Sequence, residues 1–155
     1  MLVIGCDHGG LELKNFLIGR LRARGIEVED TGTHDADSVD YPDYARRVAS
    51  KIARGEAERG ILICTSGVGM SIVANKFPGV RAALVHDLWG ARLSREHNDA
   101  NVLVMGGAVT EKSLAEQIVT LWLETAFAGG RHQRRLDKIA EVERDLGARL
   151  PPEAK

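Results

Sequence analysis

The stretch "ILICTSGVGMSIVANK", Ile61 to Lys76, decides how the chain is read. An apolar run ends in Cys64, hydroxyls follow at Thr65 and Ser66, and Gly67-Val68-Gly69 opens a segment of helical character. A short apolar run that stops at glycines and restarts as a helix is a strand–turn–helix junction of an α/β protein. Such a junction exposes successive backbone N–H groups, and a nest of that kind binds a phosphate or a developing oxyanion.

The alternation continues in both directions from this stretch. "LVIGC" (2–6) reads as a first strand, followed by Leu13, Phe16, Leu17 and Leu21 at helical spacing, with Gly25 closing the helix. "IEVED" (26–30) reads as a second strand, and a polar loop runs from Thr31 to Asp40. Pro42 sits where a helix begins, and Tyr44, Val48, Ala49 and Ile52 form its apolar stripe. "GILIC" (60–64), "RAALV" (81–85) and "NVLVM" (101–105) supply the third, fourth and fifth strands. Helices are expected near Gly69–Lys76, Leu88–His97 and Thr110–Thr125, with Ser113 and Glu116 as a capping box in the last.

Purely apolar strands alternating with helices predict a parallel sheet covered on both faces. The expected fold is α/β, a three-layer, doubly wound, Rossmann-like sheet of five parallel strands. Gly129-Gly130 breaks the chain before a last helix, Arg131 to about Leu146. Its stripe of Leu136, Ile139, Val142 and Leu146 suits packing on a partner subunit or on the chain's own sheet edge. Residues 1–150 read as one domain and 151–155 as a frayed tail.

Composition narrows the function classes. The chain has 155 residues, 44% hydrophobic and 28% charged, with a net charge of −1. That balance argues against a basic nucleic-acid surface and against a disordered acidic tail. Two cysteines without framework spacing suit a reducing cytoplasm. No apolar run approaches the roughly 20 residues that cross a bilayer, so no membrane partner is expected. "MLVIGCDHGG" meets charge too soon to be a signal peptide. The five histidines lack metal-ligand spacing, so no metal is expected.

In open parallel sheets, ligands bind beyond the carboxyl ends of the strands. The polar residues gather there: Cys6-Asp7-His8-Gly9-Gly10, Cys64 to Gly69, His86-Asp87 and Gly106-Gly107. Familiar phosphate motifs do not fit. A dinucleotide fingerprint needs glycine at Ile72, a Walker loop needs Gly-Lys-Ser/Thr, and a Cys-x5-Arg phosphatase loop needs arginine at Met70. What remains is a thiol beside an anion nest. Helix N-termini favour thiolates, and a thiolate can act as nucleophile or general base. The competing reading makes Cys64 a small core residue, and the residues alone leave the two balanced.

The other candidates carry their own alternatives. Asp7-His8 suits contacts to sugar hydroxyls, or Asp7 simply caps a helix. His97-Asn98 stands at a helix end, where histidine often satisfies carbonyls, and Tyr41 before Pro42 suits packing. Arg131, Arg134 and Arg135 make either a solvated turn or a clamp for an anion, with Arg131 and Arg135 on one helical face.

"GCDHGG", "DYPDYA", "ILICTSGVGMSIVANK", "SREHNDANVLVMGG" and "GGRHQRRLDKI" together resemble the ribose-5-phosphate isomerase B family, which includes galactose-6-phosphate isomerase subunits. The resemblance is collinear from about Val3 to Ile139. It implies a cofactor-free, metal-free aldose–ketose isomerase that interconverts ribose 5-phosphate and ribulose 5-phosphate through an enediolate. It also implies a homodimer or homotetramer with active sites shared across the dimer interface. By this resemblance Cys64 is the base, Ser66 (threonine in most members) handles protons at the substrate oxygens, and His97 donates the proton for ring opening, helped by Tyr41 and Asp7. The backbone of Thr65, Gly67, Val68 and Gly69 forms the enediolate nest; His8, Arg131 and Arg135 contact the phosphate, and Asn98 a hydroxyl. Met70 stands where a cysteine-less branch carries its glutamate base.

Two departures mark this chain. Many members have arginine shortly after the fifth strand, where Gly106-Gly107-Ala108 stands here; Thr65 replaces a common glycine. The same chemistry on a tetrose or hexose phosphate, or on a deoxy-hexosulose uronate, therefore stays open. So does a non-catalytic sugar-phosphate-binding subunit, although Cys64, Ser66 and His97 speak against it. A redox protein fits poorly, because neither cysteine has a resolving partner nearby.

Overall fold

The structure, a computed structural model, describes residues 1–149; the expected tail at 151–155 lies outside the described residues. In chain order the elements are β1 (Leu2–Cys6), α1 (Leu11–Ala23), β2 (Val28–Asp30), α2 (Tyr41–Ala53), β3 (Arg59–Cys64) and α3 (Val68–Ala74). β4 (Ala82–Leu84), α4 (Leu88–Glu96), β5 (Val102–Gly106), α5 (Lys112–Glu124) and α6 (Arg131–Arg149) follow. All strand pairs are parallel, in the order β2-β1-β3-β5-β4. The expected doubly wound sheet is the fold observed.

The apolar strands are explained by burial on both sides. Ile4, Cys6, Ile61, Ile63, Leu103 and Met105 face a layer built by α1 and α5, with Leu17, Ile118 and Trp122 at its centre. Alternate residues Val3, Leu62, Cys64, Val102 and Val104 face α2 and α3, against Val48, Met70 and Ala74. Each fully buried aliphatic side chain of this size contributes about 1.5–3 kcal/mol. Packing, rather than local propensity, therefore holds the central strands β1, β3 and β5 in the sheet.

One charge is buried in the first layer. Lys14 is fully buried, and its Nζ donates to both carboxylate oxygens of Asp30, at 2.6 and 2.7 Å. Burial pushes the Asp30 carboxyl up, but the Lys14 ammonium and the Gly32 amide outweigh it and hold the group below the ordinary aspartate value.

Local details differ from the sequence reading, most strand and helix ends by one or two residues. The second strand starts at Val28, because the Ile26 amide turns back to the Leu21 carbonyl at the end of α1. Gly25, with φ +75°, supplies the left-handed residue of that turn, as expected. The capping box does not form: Ser113 lies inside α5, and Glu116 instead accepts from Arg20 Nε at 2.7 Å. The last helix continues to Arg149.

β4 is an edge strand, and its outer side is closed locally. The Asn75 side chain accepts from the Ala82 amide and donates to the Ala82 carbonyl, both at 2.9 Å. Beside this edge, both carboxylate oxygens of Glu143 on α6 accept from the Gly79 amide, at 3.0 and 3.1 Å. The last helix is thus tied to the loop before β4, and Leu136 is buried. Ile139, Val142 and Leu146 remain exposed and line a groove of about 520 Å³ with Val80 and Ala83. Among the described residues, no helix is long and apolar enough to cross a membrane.

Candidate active site

Three strand ends converge on the loop after β3. The Gly107 amide donates to the Cys64 carbonyl at 2.7 Å, and the Ala108 amide to the Thr65 carbonyl at 3.1 Å. A Cβ on Gly9 would overlap Thr65 Oγ1, and one on Gly107 would lie 2.5 Å from the Gly9 carbonyl oxygen. These glycines are the condition for the β1, β3 and β5 loops to touch.

Within the loop, Gly67 adopts φ +80° as the N-cap of α3 and turns its amide back onto Cys64 Sγ at 3.2 Å. Cys64 is buried, at 5% exposure, while Thr65, Ser66 and Val68 are exposed around it. The Val68 amide donates to Ser66 Oγ at 3.3 Å. The first backbone bond of the helix comes from Ser71 to Gly67. The amides of Gly69 and Met70 take no partner among the described residues, whereas those of Gly67 and Val68, expected in the same nest, are turned onto Cys64 Sγ and Ser66 Oγ. Tyr41 leans over it: a Cβ on Gly69 would lie 2.6 Å from the Tyr41 ring. The second cysteine is of another kind. Cys6 is fully buried in the opposite layer, and burial pushes its thiol up to about 12.

Asp7 and His8 flank this loop at the end of β1. Asp7 is buried, and its Oδ1 accepts from the Gly9 amide at 2.9 Å, so the carboxylate caps the turn. His8 is exposed; its Nδ1 accepts from the Val39 amide at 3.2 Å, which leaves Nε2 carrying the proton outward. Asp87 at the end of β4 has a structural task, accepting from the Gly90 amide at 2.7 Å to cap α4.

His97, Asn98, Arg131 and Arg135 lie elsewhere. β3 and β5 run in register, Cys64 opposite Gly106, while the Gly60 amide bonds the Asn101 carbonyl. Asn101, and with it the His97-Asn98 end of α4, stands at the amino edge of the sheet. The four steps from Gly60 to Cys64 along β3 span roughly 13 Å. Within one chain the candidate residues therefore form two clusters at opposite edges.

The second cluster contains a residue that the sequence reading overlooked. The rings of His97 and His132 stack with centroids 4.1 Å apart and planes 14° from parallel. His132 is buried, while Arg131 and Arg135 are exposed on either side of it. Its signal was present: His132, Leu136 and Ile139 share the i, i+4, i+7 spacing of one helical stripe. Among the described residues, no group of three or more His, Cys, Asp or Glu is placed to hold a metal ion.

Residues 2–139, which carry both clusters, match the sequence model of a family described as Ribose/Galactose Isomerase. The chain belongs to that family. Within the ribose/galactose isomerase family, it is 48% identical over 142 residues to ribose-5-phosphate isomerase B of Escherichia coli, covering 92% of this chain and 95% of that one. The ribose-5-phosphate isomerase B structure from Clostridium thermocellum superposes with a TM-score of 0.92 at 50% identity, covering 94% of this chain and 98% of that one. The Mycoplasma genitalium enzyme, solved with bound ribulose-5-phosphate, superposes at 0.90 with 42% identity, over 93% and 96% of the two chains.

Proposed function

We propose that this chain isomerises ribose 5-phosphate to ribulose 5-phosphate and back, with Cys64 as the base. The observation that carries the reading is the Cys64 sulfur, contacted by the Gly67 amide at 3.2 Å on the same loop as the Gly69 and Met70 amides, which take no partner among the described residues. A base and fixed donors on one loop are what proton abstraction next to a carbonyl requires.

The chemistry follows the atoms. The Cys64 thiolate takes the proton from C2 of the open-chain aldose. The C2–H electron pair becomes the C1–C2 double bond, and charge collects on the former carbonyl oxygen, where the free amides stabilise it. Ser66, whose hydroxyl is exposed beside the sulfur, passes a proton between the two substrate oxygens. The thiol then returns its proton to C1, and C2 becomes the carbonyl carbon. His97 supplies the proton that opens the furanose ring, His8, Arg131 and Arg135 hold the phosphate, and Asn98 and Tyr41 meet the sugar.

The two clusters do not meet within a chain, so the complete site is assembled between two copies. The loop of Cys64 comes from one subunit, and His97 with the arginines comes from the other. The minimal functional unit is a homodimer, and the substrate is a small sugar phosphate. Two unpaired thiols fit work in the cytoplasm.

The test is Cys64→Ala. Exchange of the C2 hydrogen of ribose 5-phosphate with solvent deuterium should fall by about 10²–10⁴, the range for losing a positioned base, while substrate still binds. Undiminished exchange would remove Cys64 from the mechanism.

A further inference from the structure

The stacked histidine pair has a definite asymmetry. His97 ends α4 and is half-exposed, whereas His132 sits beneath it at 5% exposure in the first turn of α6. The two helices are tied just before the stack, where the Ala128 amide donates to the Glu96 carbonyl at 3.0 Å. The left-handed glycines Gly129 (φ +64°) and Gly130 (φ +56°) then turn the chain into α6. The buried ring is thus fixed by backbone on both sides, and the exposed ring lies on it.

We propose that His132 is a positioning residue for His97, a fixed platform that sets the plane in which the His97 imidazole presents its proton. The proposal rests on the reading of His97 as the acid for ring opening. Face-to-face contact at 4.1 Å lets the outer ring slide or rotate only at the cost of the stack. Burial, followed by the neighbouring His97, Arg131 and Arg135, pushes His132 below the ordinary histidine value against the opposing pull of Glu96. His132 is therefore neutral near pH 7 and offers a π face instead of a second positive charge. A protonated His97 rests more favourably on such a face than on another cation.

The test compares His132→Ala with His132→Phe, the second of which keeps an aromatic platform. Histidine ring-proton NMR reads the geometry without any substrate. The His97 ring lines should lose their upfield ring-current shift in the alanine variant and keep it in the phenylalanine variant. Lines unmoved in the alanine variant would overturn the proposal.

The kinetic arm uses two substrates. Ribose 5-phosphate must be opened, whereas ribulose 5-phosphate cannot close a five-membered ring because the required hydroxyl carries its phosphate. With His132→Ala, kcat on ribose 5-phosphate should drop about threefold to tenfold at little-changed KM, the size that an aromatic pair supports. Exchange of the C1 hydrogen of ribulose 5-phosphate should be unchanged, and His132→Phe should restore kcat to within about twofold of wild type. Equal losses on both substrates without rescue would make His132 merely structural and sink the proposal. If the wild-type chain left ribose 5-phosphate untouched, the proposed substrate would fail by itself, and the ring-proton lines would still decide whether His132 orients His97.

Discussion

The separation of the two clusters can be tested by mixing two dead enzymes. Cys64 faces the carboxyl edge of the sheet, and His97 stands roughly 13 Å away along the strands, at the amino edge. A proton donor works within hydrogen-bond reach, about 2.6–3.2 Å or one water further, so one chain cannot serve one sugar from both. Let Cys64→Ala and His97→Ala subunits be unfolded together in equal amounts and refolded. Random pairing in a twofold dimer makes about half of the molecules mixed. In a mixed dimer one site pairs both lesions, while the other pairs an intact Cys64 with an intact His97. About one site in four is then whole, so activity should return to about a quarter of wild type, although each variant alone is inactive. The assay is isomerisation of ribose 5-phosphate against the same variants refolded separately. A mixture as inactive as its components would refute the shared site and require both clusters to act within one chain.

Two further outcomes follow from packing and charge. Gly67→Ala places a methyl 2.5 Å from Leu84 Cδ1 at φ +80°, so urea unfolding should show a loss of about 1–3 kcal/mol, and an unchanged midpoint would contradict that geometry. Asp30 is held below its ordinary value in the folded chain, so its contribution is complete above the unfolded carboxyl value of roughly 3.9 and disappears as pH falls through the folded one. Lys14→Met should cost about 2–3 kcal/mol at neutral pH and flatten that acid-side decline; a stability profile parallel to wild type would show that the Lys14–Asp30 pair is not its source.

Much of the fold was legible because the central strands have helices on both faces. "LVIGC" and "VLVM" (102–105) are continuous apolar runs, of the kind a parallel sheet buries on both faces. Strand order was not legible, since every crossover helix looks alike in sequence. The false capping box at Ser113 shows the limit of local motifs: Glu116 had a better partner in Arg20, nearly a hundred residues away in sequence. At the site, the Cys64 loop was readable from its thiol, hydroxyls and glycines. The reason for Gly69 was only half visible, because the Tyr41 ring pressed against it comes from a distant helix. His132 escaped because "GGRHQRR" reads as a basic, solvated turn until the tie between Ala128 and Glu96 folds it under α4.

The amide of Asn75 clasped to Ala82 has a consequence for how copies of the chain meet. A three-residue border strand whose first residue is already engaged makes a poor template for a sixth strand. Neighbouring molecules are thereby steered away from zipping backbone to backbone at that border, the route by which bare strands seed fibrils. At that border, association is left to side chains on helices and loops.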